Sequence, residues 1–188
     1  MTIFLFRPNH GHLKQIHCLS ELENAMLIGL MSDTHNNCPN LRYALDIFTA
    51  LGIQVILHAG DLISAELLEE FKEFSVYLSF GNGDDPLMIS SKAKRLSERF
   101  VCEEMLDLNL AGKHVFMVHG DQRSELEKRI ASGDYDCIIH GHSHRFRDER
   151  VGSTRVVNPG ALGGRFVGER SFATLDIVKN ELQRYFAP

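Results

Sequence analysis

Closely spaced histidines follow a short apolar run in the segment CIIHGHSH, residues 137–144. His142 comes directly after Gly141, and His144 is two positions further on. Imidazole is the side chain that most often binds metal ions in proteins. The segment therefore predicts a metal site at the end of a buried strand.

Four other apolar runs are also followed by polar side chains that can bind metals. Together with the two histidines, these side chains form a set of seven candidate ligands: Asp33, His35, Asp61, Asn82, His119, His142 and His144. Carboxylate, amide and imidazole donors suit Mn²⁺, Fe, Zn²⁺ or Ni²⁺, and no thiolate is among them. Seven donors are too many for one tetrahedral zinc ion, whereas they fit two metals that share a carboxylate.

The apolar runs before these ligands predict five strands, at 27–31, 53–57, 76–80, 114–118 and 137–139. Parallel βαβ units come first, and a hairpin of 105–110 with 114–118 comes later. This order favours a mixed sheet, or two sheets, with helices on the outside. Ligands of open α/β sheets bind at the carboxyl ends of the strands, so the five loops are expected to converge.

Apolar residues at helical spacing predict the elements that connect the strands. The predicted helices are one beginning near Pro39 and ending at Gly52, one capped by Ser64, one over 87–99, and one over 124–131 that Asp121 caps. Strands are predicted near Val156, at 172–178 and at 182–186. His58, His114 and His140 are interpreted as structural, and the side chains of His58 and His140 are expected to be directed away from the ligands.

The five motifs occur in a fixed order between Met26 and the C-terminus. They are Asp33-Thr34-His35, Gly60-Asp61, Gly81-Asn82-Gly83-Asp84, His119-Gly120 and Gly141-His142-Ser143-His144. This series resembles the calcineurin-like metallophosphoesterases, and the compact size with Asn158-Pro159-Gly160 is similar to their small YfcE-type phosphodiesterase branch. The resemblance implies an α/β (α+β) fold, a four-layer αββα sandwich of two mixed β-sheets flanked by helices.

The resemblance also implies a role for each ligand. Asp33, His35 and His144 would hold a first divalent metal; Asn82, His119 and His142 would hold a second; Asp61 would bridge the two. Manganese is the expected metal, with iron, zinc and nickel as alternatives. Hydroxide between the metals would attack a small phosphoester in line, and Asp61, Asn82, Asp84 and His119 are the expected catalytic residues, with Asp84 orienting a ligand.

Gly83 departs from the family pattern, because many members carry a histidine at that position. Such a histidine can protonate the leaving group or bind the phosphate. Its replacement by glycine predicts weak general-acid assistance, so leaving groups of low pKa should be favoured. Downstream, Gly160 to Arg165 is interpreted as a turn near the metals, with Arg165 as a hypothetical phosphate contact.

Two alternative functions belong to other classes. The same fold serves as a protein-interaction scaffold in the retromer coat, without catalysis or with marginal activity; the seven intact ligands favour the enzyme. A manganese-dependent nuclease is the other alternative, and nucleic acid is not the favoured partner because the net charge is −5. The sequence leaves the physiological substrate and any homo-oligomer open.

Length and composition are those of a single globular domain, with 188 residues of which 44% are hydrophobic. No apolar run approaches the roughly 20 residues of a membrane span. The four cysteines are far apart and include no C-x-x-C pair, which predicts reduced thiols in a cytoplasmic protein. Residues 1–25 differ from the rest and are interpreted as an N-terminal extension of a domain covering 26–188.

Overall fold

The computed structural model describes residues 2–4, 15–17 and 25–188. The strands, in chain order, are β1 (Thr2–Phe4), β2 (Gln15–His17), β3 (Leu27–Met31), β4 (Val55–His58), β5 (Ser75–Ser79), β6 (Phe100–Glu103), β7 (Met105–Leu110), β8 (Lys113–Val118), β9 (Cys137–Ile139), β10 (Arg147–Val151), β11 (Thr154–Asn158), β12 (Ser171–Asp176) and β13 (Glu181–Phe186). The α-helices are α1 (Cys38–Ala50), α2 (Pro86–Leu96) and α3 (Arg123–Ser132), and 3₁₀ helices cover Ala65–Phe71 and Val167–Glu169.

Most of these strands form two mixed sheets. The six-stranded sheet has the order β13-β12-β3-β4-β5-β6, in which β3 to β6 are parallel and β12 and β13 run antiparallel to their neighbours. The five-stranded sheet has the order β10-β11-β9-β8-β7, with the parallel strands β11, β9 and β8 in its centre. Each sheet thus sends the carboxyl ends of its parallel strands toward one edge.

Side chains that alternate along the strands bury both faces of each sheet. Leu30 and Leu57 pack between the two sheets, whereas their neighbours Met31 and Ile56 pack beneath α1 and the first 3₁₀ helix. On the five-stranded sheet, Phe116 and its neighbours pack against α3. The layers therefore run helices, sheet, sheet, helix, and the predicted αββα sandwich is confirmed.

The helices begin close to their predicted positions. The Asn37 side chain caps α1 by accepting a hydrogen bond from the Asn40 backbone N–H at 3.1 Å, and Ser64 caps the first 3₁₀ helix as predicted. The predicted cap of α3 by Asp121 is wrong. That helix begins at Arg123 and its N-cap position is Gln122, so Asp121 lies one residue before the position from which a side chain caps the first turn.

Besides β1 and β2, two strands were absent from the prediction, and both belong to the two large sheets. The sequence pattern continued the helix over 87–99, but α2 ends at Leu96, and β6 follows after a short turn. The edge strand β10 was also missed, because four of its five residues are exposed and no apolar alternation marks it. Both strands lie at sheet edges, where the hydrophobic pattern is weakest.

Little of the predicted N-terminal extension lies within the described residues. Its strands β1 and β2 pair antiparallel, with Ile3 opposite Ile16. Elsewhere, no helix among the described residues has the length and apolar character needed to cross a membrane.

Candidate metal centre

Loops at the carboxyl ends of five strands carry the seven candidate ligands. Asp33 and His35 follow β3, Asp61 follows β4, Asn82 follows β5, His119 follows β8, and His142 and His144 follow β9. Five of these residues have a left-handed backbone, with φ between 46° and 63°: Asp33, His35, Asp61, His142 and His144. Residues other than glycine rarely adopt this backbone conformation, and those that do cluster at functional sites.

Four of the ligands direct their donor atoms at one point. His144 Nε2 lies 3.2 Å from Asp33 Oδ1 and 3.1 Å from His35 Nε2. His35 Nε2 is also 3.7 Å from Asp61 Oδ2. Donors that bind one ion at about 2.1 Å lie about 3.0 to 3.4 Å from one another, so the closest of these separations suit a shared metal.

His119 extends the cluster on the other side of Asp61. Its Nε2 lies 3.5 Å from Asp61 Oδ2, and its Nδ1 bonds the Ala59 carbonyl oxygen at 2.7 Å. That bond requires the proton on Nδ1, which leaves Nε2 with a free lone pair. Metal-binding histidines are commonly held by such a bond to a carbonyl.

Asn82 and His142 complete the cluster. His142 Nδ1 and Asn82 Oδ1 are 3.1 Å apart, and the rings of His142 and His119 are 5.1 Å apart, edge to face. All seven predicted ligands therefore lie together. In each of two groups of acidic and histidine residues, the donor atoms all lie within 4.8 Å of one another. The first group is Asp33 with His35 and His144, and the second is Asp33 with Asp61 and His119.

Two buried polar atoms of this cluster support the fit to metal ions. Asp33 Oδ1 and His119 Nε2 have no hydrogen-bond partner among the described residues. A buried acceptor without a partner costs free energy, whereas bound cations would satisfy both atoms. The residues present thus fit divalent cations.

The environment of Asp33 keeps its carboxyl group ionised. Burial disfavours the charged form, but the neighbouring His144 and a 2.6 Å hydrogen bond from the Ser32 hydroxyl outweigh it and lower the pKa of Asp33. The Asp33 carboxylate in turn raises the pKa of His144. Ser32 was not among the predicted site residues, although it directly precedes Asp33.

Asp84 supports the loop of Asp61 rather than joining the cluster. Its two carboxylate oxygens accept hydrogen bonds from the backbone N–H groups of Asp61, Gly81 and Ile63 at 2.7 to 2.9 Å. The Gly83 N–H in turn donates to Asp61 Oδ1 at 2.8 Å. The segment after β5 therefore fixes the orientation of the Asp61 carboxylate.

Close backbone packing makes glycine necessary beside Asp61. A Cβ atom on Gly81 would lie 2.2 Å from Asp61 Oδ1, and one on Gly60 would lie 2.5 Å from His119 Nδ1. Contacts that short cannot form without displacing the two ligands.

The turn after β11 lies against the first ligand loop. Leu162 N–H and Gly163 N–H donate to the carbonyl oxygens of Ser32 and Asp33 at 3.0 and 2.8 Å. Asn158 Nδ2 donates to the Gly141 carbonyl oxygen at 2.8 Å. The turn thus lies near the ligands, as the sequence predicted, and Asn158 is a supporting residue that only its place in the family motif indicated.

The three histidines that the sequence predicted to be structural have partners outside the cluster. His58 Nε2 is 2.8 Å from Thr34 Oγ1, and His114 bonds the Asp107 carboxylate. His140 Nδ1 is 3.1 Å from the Gly141 carbonyl oxygen. Burial lowers the pKa values of His58 and His140 to about 4, so both are neutral at pH 7.

Comparison with known proteins identifies the family. Residues 26–180 match the model of the calcineurin-like phosphoesterase superfamily domain. The chain belongs to this superfamily. It is accordingly a metal-dependent hydrolase of phosphoric esters, and the resemblance inferred from the five motifs is confirmed.

A curated relative and a solved structure are both described as phosphodiesterases. Phosphodiesterase MJ0936 of Methanocaldococcus jannaschii is 33% identical over 159 residues, which cover 83% of this chain and 96% of that protein. A solved archaeal phosphodiesterase is 32% identical, with a TM-score of 0.81 over 86% of this chain and 99% of that one.

More distant solved structures show a likeness of fold. The phosphoesterase YfcE from E. coli is 17% identical, with a TM-score of 0.60 over 87% of this chain and all of that one. Vacuolar protein sorting 29 from Cryptosporidium parvum is 20% identical, with a TM-score of 0.62 over 88% of this chain and all of that one.

Proposed function

We propose that the chain is a phosphodiesterase that uses two divalent metal ions, with manganese as the expected metal and iron, zinc and nickel as alternatives. The convergence of seven donors, two of them buried without a hydrogen-bond partner, carries the proposal. The similarity over most of the chain to a curated phosphodiesterase and to a solved phosphodiesterase structure favours diesters as substrates.

These positions support the ligand roles that the family resemblance implies. Asp33, His35 and His144 would hold one ion; Asn82, His119 and His142 would hold the other; Asp61, whose Oδ2 lies within 3.7 Å of both His35 and His119, would bridge them. When bound, two such ions supply a Lewis acid that generates hydroxide at neutral pH and stabilises charge on the phosphoryl oxygens. Asp84 and Gly83 position the bridging carboxylate through their hydrogen bonds.

Because position 83 is a glycine, no imidazole follows Asn82 in the chain to protonate the leaving group. A side chain there would meet Ile63 Cδ1 at 2.5 Å and Asp61 Oδ1 at 3.1 Å, so the neighbouring residues match a glycine. We therefore expect the rate to depend steeply on the leaving-group pKa. Measured across a series of substituted phenyl and alkyl diesters, log kcat/KM should fall as that pKa rises. Equal rates for aryl and alkyl diesters would contradict this expectation.

We further propose that residues 26–188 form the catalytic domain, to which residues 1–25 are an extension. The family match over 26–180 supports this division. The free thiols of Cys38, Cys102 and Cys137 favour a cytoplasmic location. The protein-scaffold alternative has support only from a likeness of fold, and the nuclease alternative is disfavoured by the net charge of −5.

Hydrolysis of bis-p-nitrophenyl phosphate by chelator-treated protein, titrated with Mn²⁺, tests the proposal. We expect turnover that requires the metal, and a loss of about a hundredfold or more in Asp61→Asn, because even residues behind metal ligands contribute 10–100-fold. Asp46→Asn, at an exposed position on α1, is the matched control and should retain full activity. Absence of turnover with Mn²⁺, Ni²⁺ and Zn²⁺ would overturn the proposal.

A further inference from the structure

A cavity of about 350 Å³ adjoins the candidate metal centre on the side of His144. Arg145, Arg165 and Phe166 line it, and we call it the arginine cavity. Its volume lies within the roughly 300–1,000 Å³ of small-ligand sites. Because the metal ligand His144 is itself part of the wall, a molecule in this cavity would lie directly beside the centre.

The two arginines of this cavity differ from the others that the structure describes. Each of the other described arginines has a guanidinium that donates a hydrogen bond: Arg42, Arg95, Arg99, Arg123, Arg129, Arg147, Arg150, Arg155, Arg170 and Arg184. The guanidinium groups of Arg145 and Arg165 have neither a hydrogen-bond acceptor nor an ion-pair partner within residues 25–188. Such groups bind phosphate oxygens in a bidentate manner, which makes an anion the expected ligand.

An exposed aromatic ring completes the arginine cavity. Phe166 is 64% exposed, and the Arg165 guanidinium carbon lies 5.9 Å from the centre of its ring. Aromatic side chains beside cationic groups stack the bases of nucleotides. The Glu169 carboxylate also lines the cavity, so two positive groups and one negative group give it a net charge of +1.

The wall of this cavity is fixed to the ligand loops. The turn that leads into Arg165 donates two backbone hydrogen bonds to the loop of Asp33, and a Cβ atom on Gly163 would lie 2.1 Å from the Thr34 carbonyl oxygen. Arg145 comes directly after His144. Both arginines are therefore attached to segments whose positions relative to the metal ligands are set by the backbone.

A second cavity, of about 490 Å³, adjoins the other side of the centre at Gly81. Glu103, Glu104 and Asp121 line it, and it has no cationic lining residue. An anionic substituent is repelled from this acidic cavity and attracted to the arginine cavity. The charge difference between the two cavities thus favours the arginine cavity as the position of a second anionic group of the substrate.

We propose that the arginine cavity binds one of the two ester groups of the substrate diester, and that this group is a nucleotide. Its base stacks on Phe166. Its second phosphate, which is not the one hydrolysed, is bound by Arg145 and Arg165. The inference rests on the proposed phosphodiesterase function. In the reaction, water adds across the P–O ester bond at the metal centre. The oxygen of the water stays on phosphorus, and the alcohol that leaves takes the proton.

A pair of dinucleotides that differ in one phosphate tests this assignment. The manganese-loaded protein should hydrolyse the 5′-phosphorylated adenylyl dinucleotide pApA with a kcat/KM about tenfold above that of ApA, as expected for a charged hydrogen bond. Arg145→Gln and Arg165→Gln should bring the two substrates to equal kcat/KM. Arg150→Gln, on the exposed strand β10, should keep the preference. A wild-type protein without the preference, or variants that retain it, would overturn the inference.

A binding measurement separates this inference from the proposed function. Adenosine 3′,5′-bisphosphate is titrated calorimetrically into chelator-treated protein, where no hydrolysis occurs. Binding should weaken about tenfold in Arg165→Gln and in Phe166→Leu, and be unchanged in Arg150→Gln. Equal affinities in all variants would overturn the inference even if bis-p-nitrophenyl phosphate is hydrolysed. Weakened binding would support it even if that diester is not.

Discussion

Asp84 is linked to the candidate metal centre through the backbone, because it accepts hydrogen bonds from three N–H groups around Asp61. In Asp84→Asn, one acceptor oxygen is replaced by an amide donor, so at least one of these bonds is lost. We expect a 10- to 100-fold decrease in Mn²⁺ affinity or activity, which is about what residues behind metal ligands contribute. Calorimetric Mn²⁺ titration measures the affinity, and Asp85→Asn at the cap of α2 is the neighbouring control. Unchanged affinity and activity in Asp84→Asn would contradict the supporting role.

At this scale, the ligands could be predicted from the sequence and their supporting contacts could not. Asp33, Asp61 and His119 each follow an apolar run, and that pattern is visible in the chain. The hydrogen bond from Ser32 and the one from Asn158 depend on how two distant loops pack. No local spacing encodes such contacts.

The loop between β5 and α2 brings Asn82, Gly83 and Asp84 to the centre only because Gly81 allows close packing. Gly81→Ala places a Cβ atom 2.2 Å from Asp61 Oδ1 and 2.5 Å from the Asp61 backbone nitrogen, so the loop must move. We expect phosphodiesterase activity to fall and the free energy of unfolding to decrease by about 1–3 kcal/mol, the usual cost of overpacking. Activity assays and urea denaturation measure the two effects.

Gly168→Ala is the matched control for Gly81→Ala, because nothing lies within 4 Å of the Cβ atom that it adds. It should leave activity and stability unchanged. If Gly81→Ala behaved like this control, the close packing would not determine the position of Asp61.

Among the elements, those with a buried face were predicted from their periodicity, whereas β6 and β10 were missed because edge strands carry little of it.

The whole molecule buries a titratable group that links its stability to pH. His58 is fully buried, and burial lowers its pKa to about 4, against about 6.5 in an unfolded chain. Between pH 6.5 and pH 4 the unfolded chain therefore binds a proton that the folded chain does not. The free energy of unfolding should fall with decreasing pH, by up to about 1.4 kcal/mol per pH unit for this group in the middle of that window.

His58→Gln removes the titration and should make this decrease shallower by that amount. Urea denaturation of chelator-treated wild-type and variant protein from pH 7.5 to pH 4.5 measures both slopes. Parallel slopes for the two proteins would contradict the assignment.

The layer order of the molecule, in contrast, came from the family resemblance, because strand periodicity does not tell which strands share a sheet when Leu57 and Ile56 bury both faces.

The central claim is that two metal ions act together in one site made by both sheets. Bound Mn²⁺ per chain can be counted by electron paramagnetic resonance while turnover of bis-p-nitrophenyl phosphate is followed in the same titration. We predict two bound ions per chain, with turnover appearing as the second ion binds. Full turnover at one bound ion per chain, or saturation at one ion, would contradict the claim.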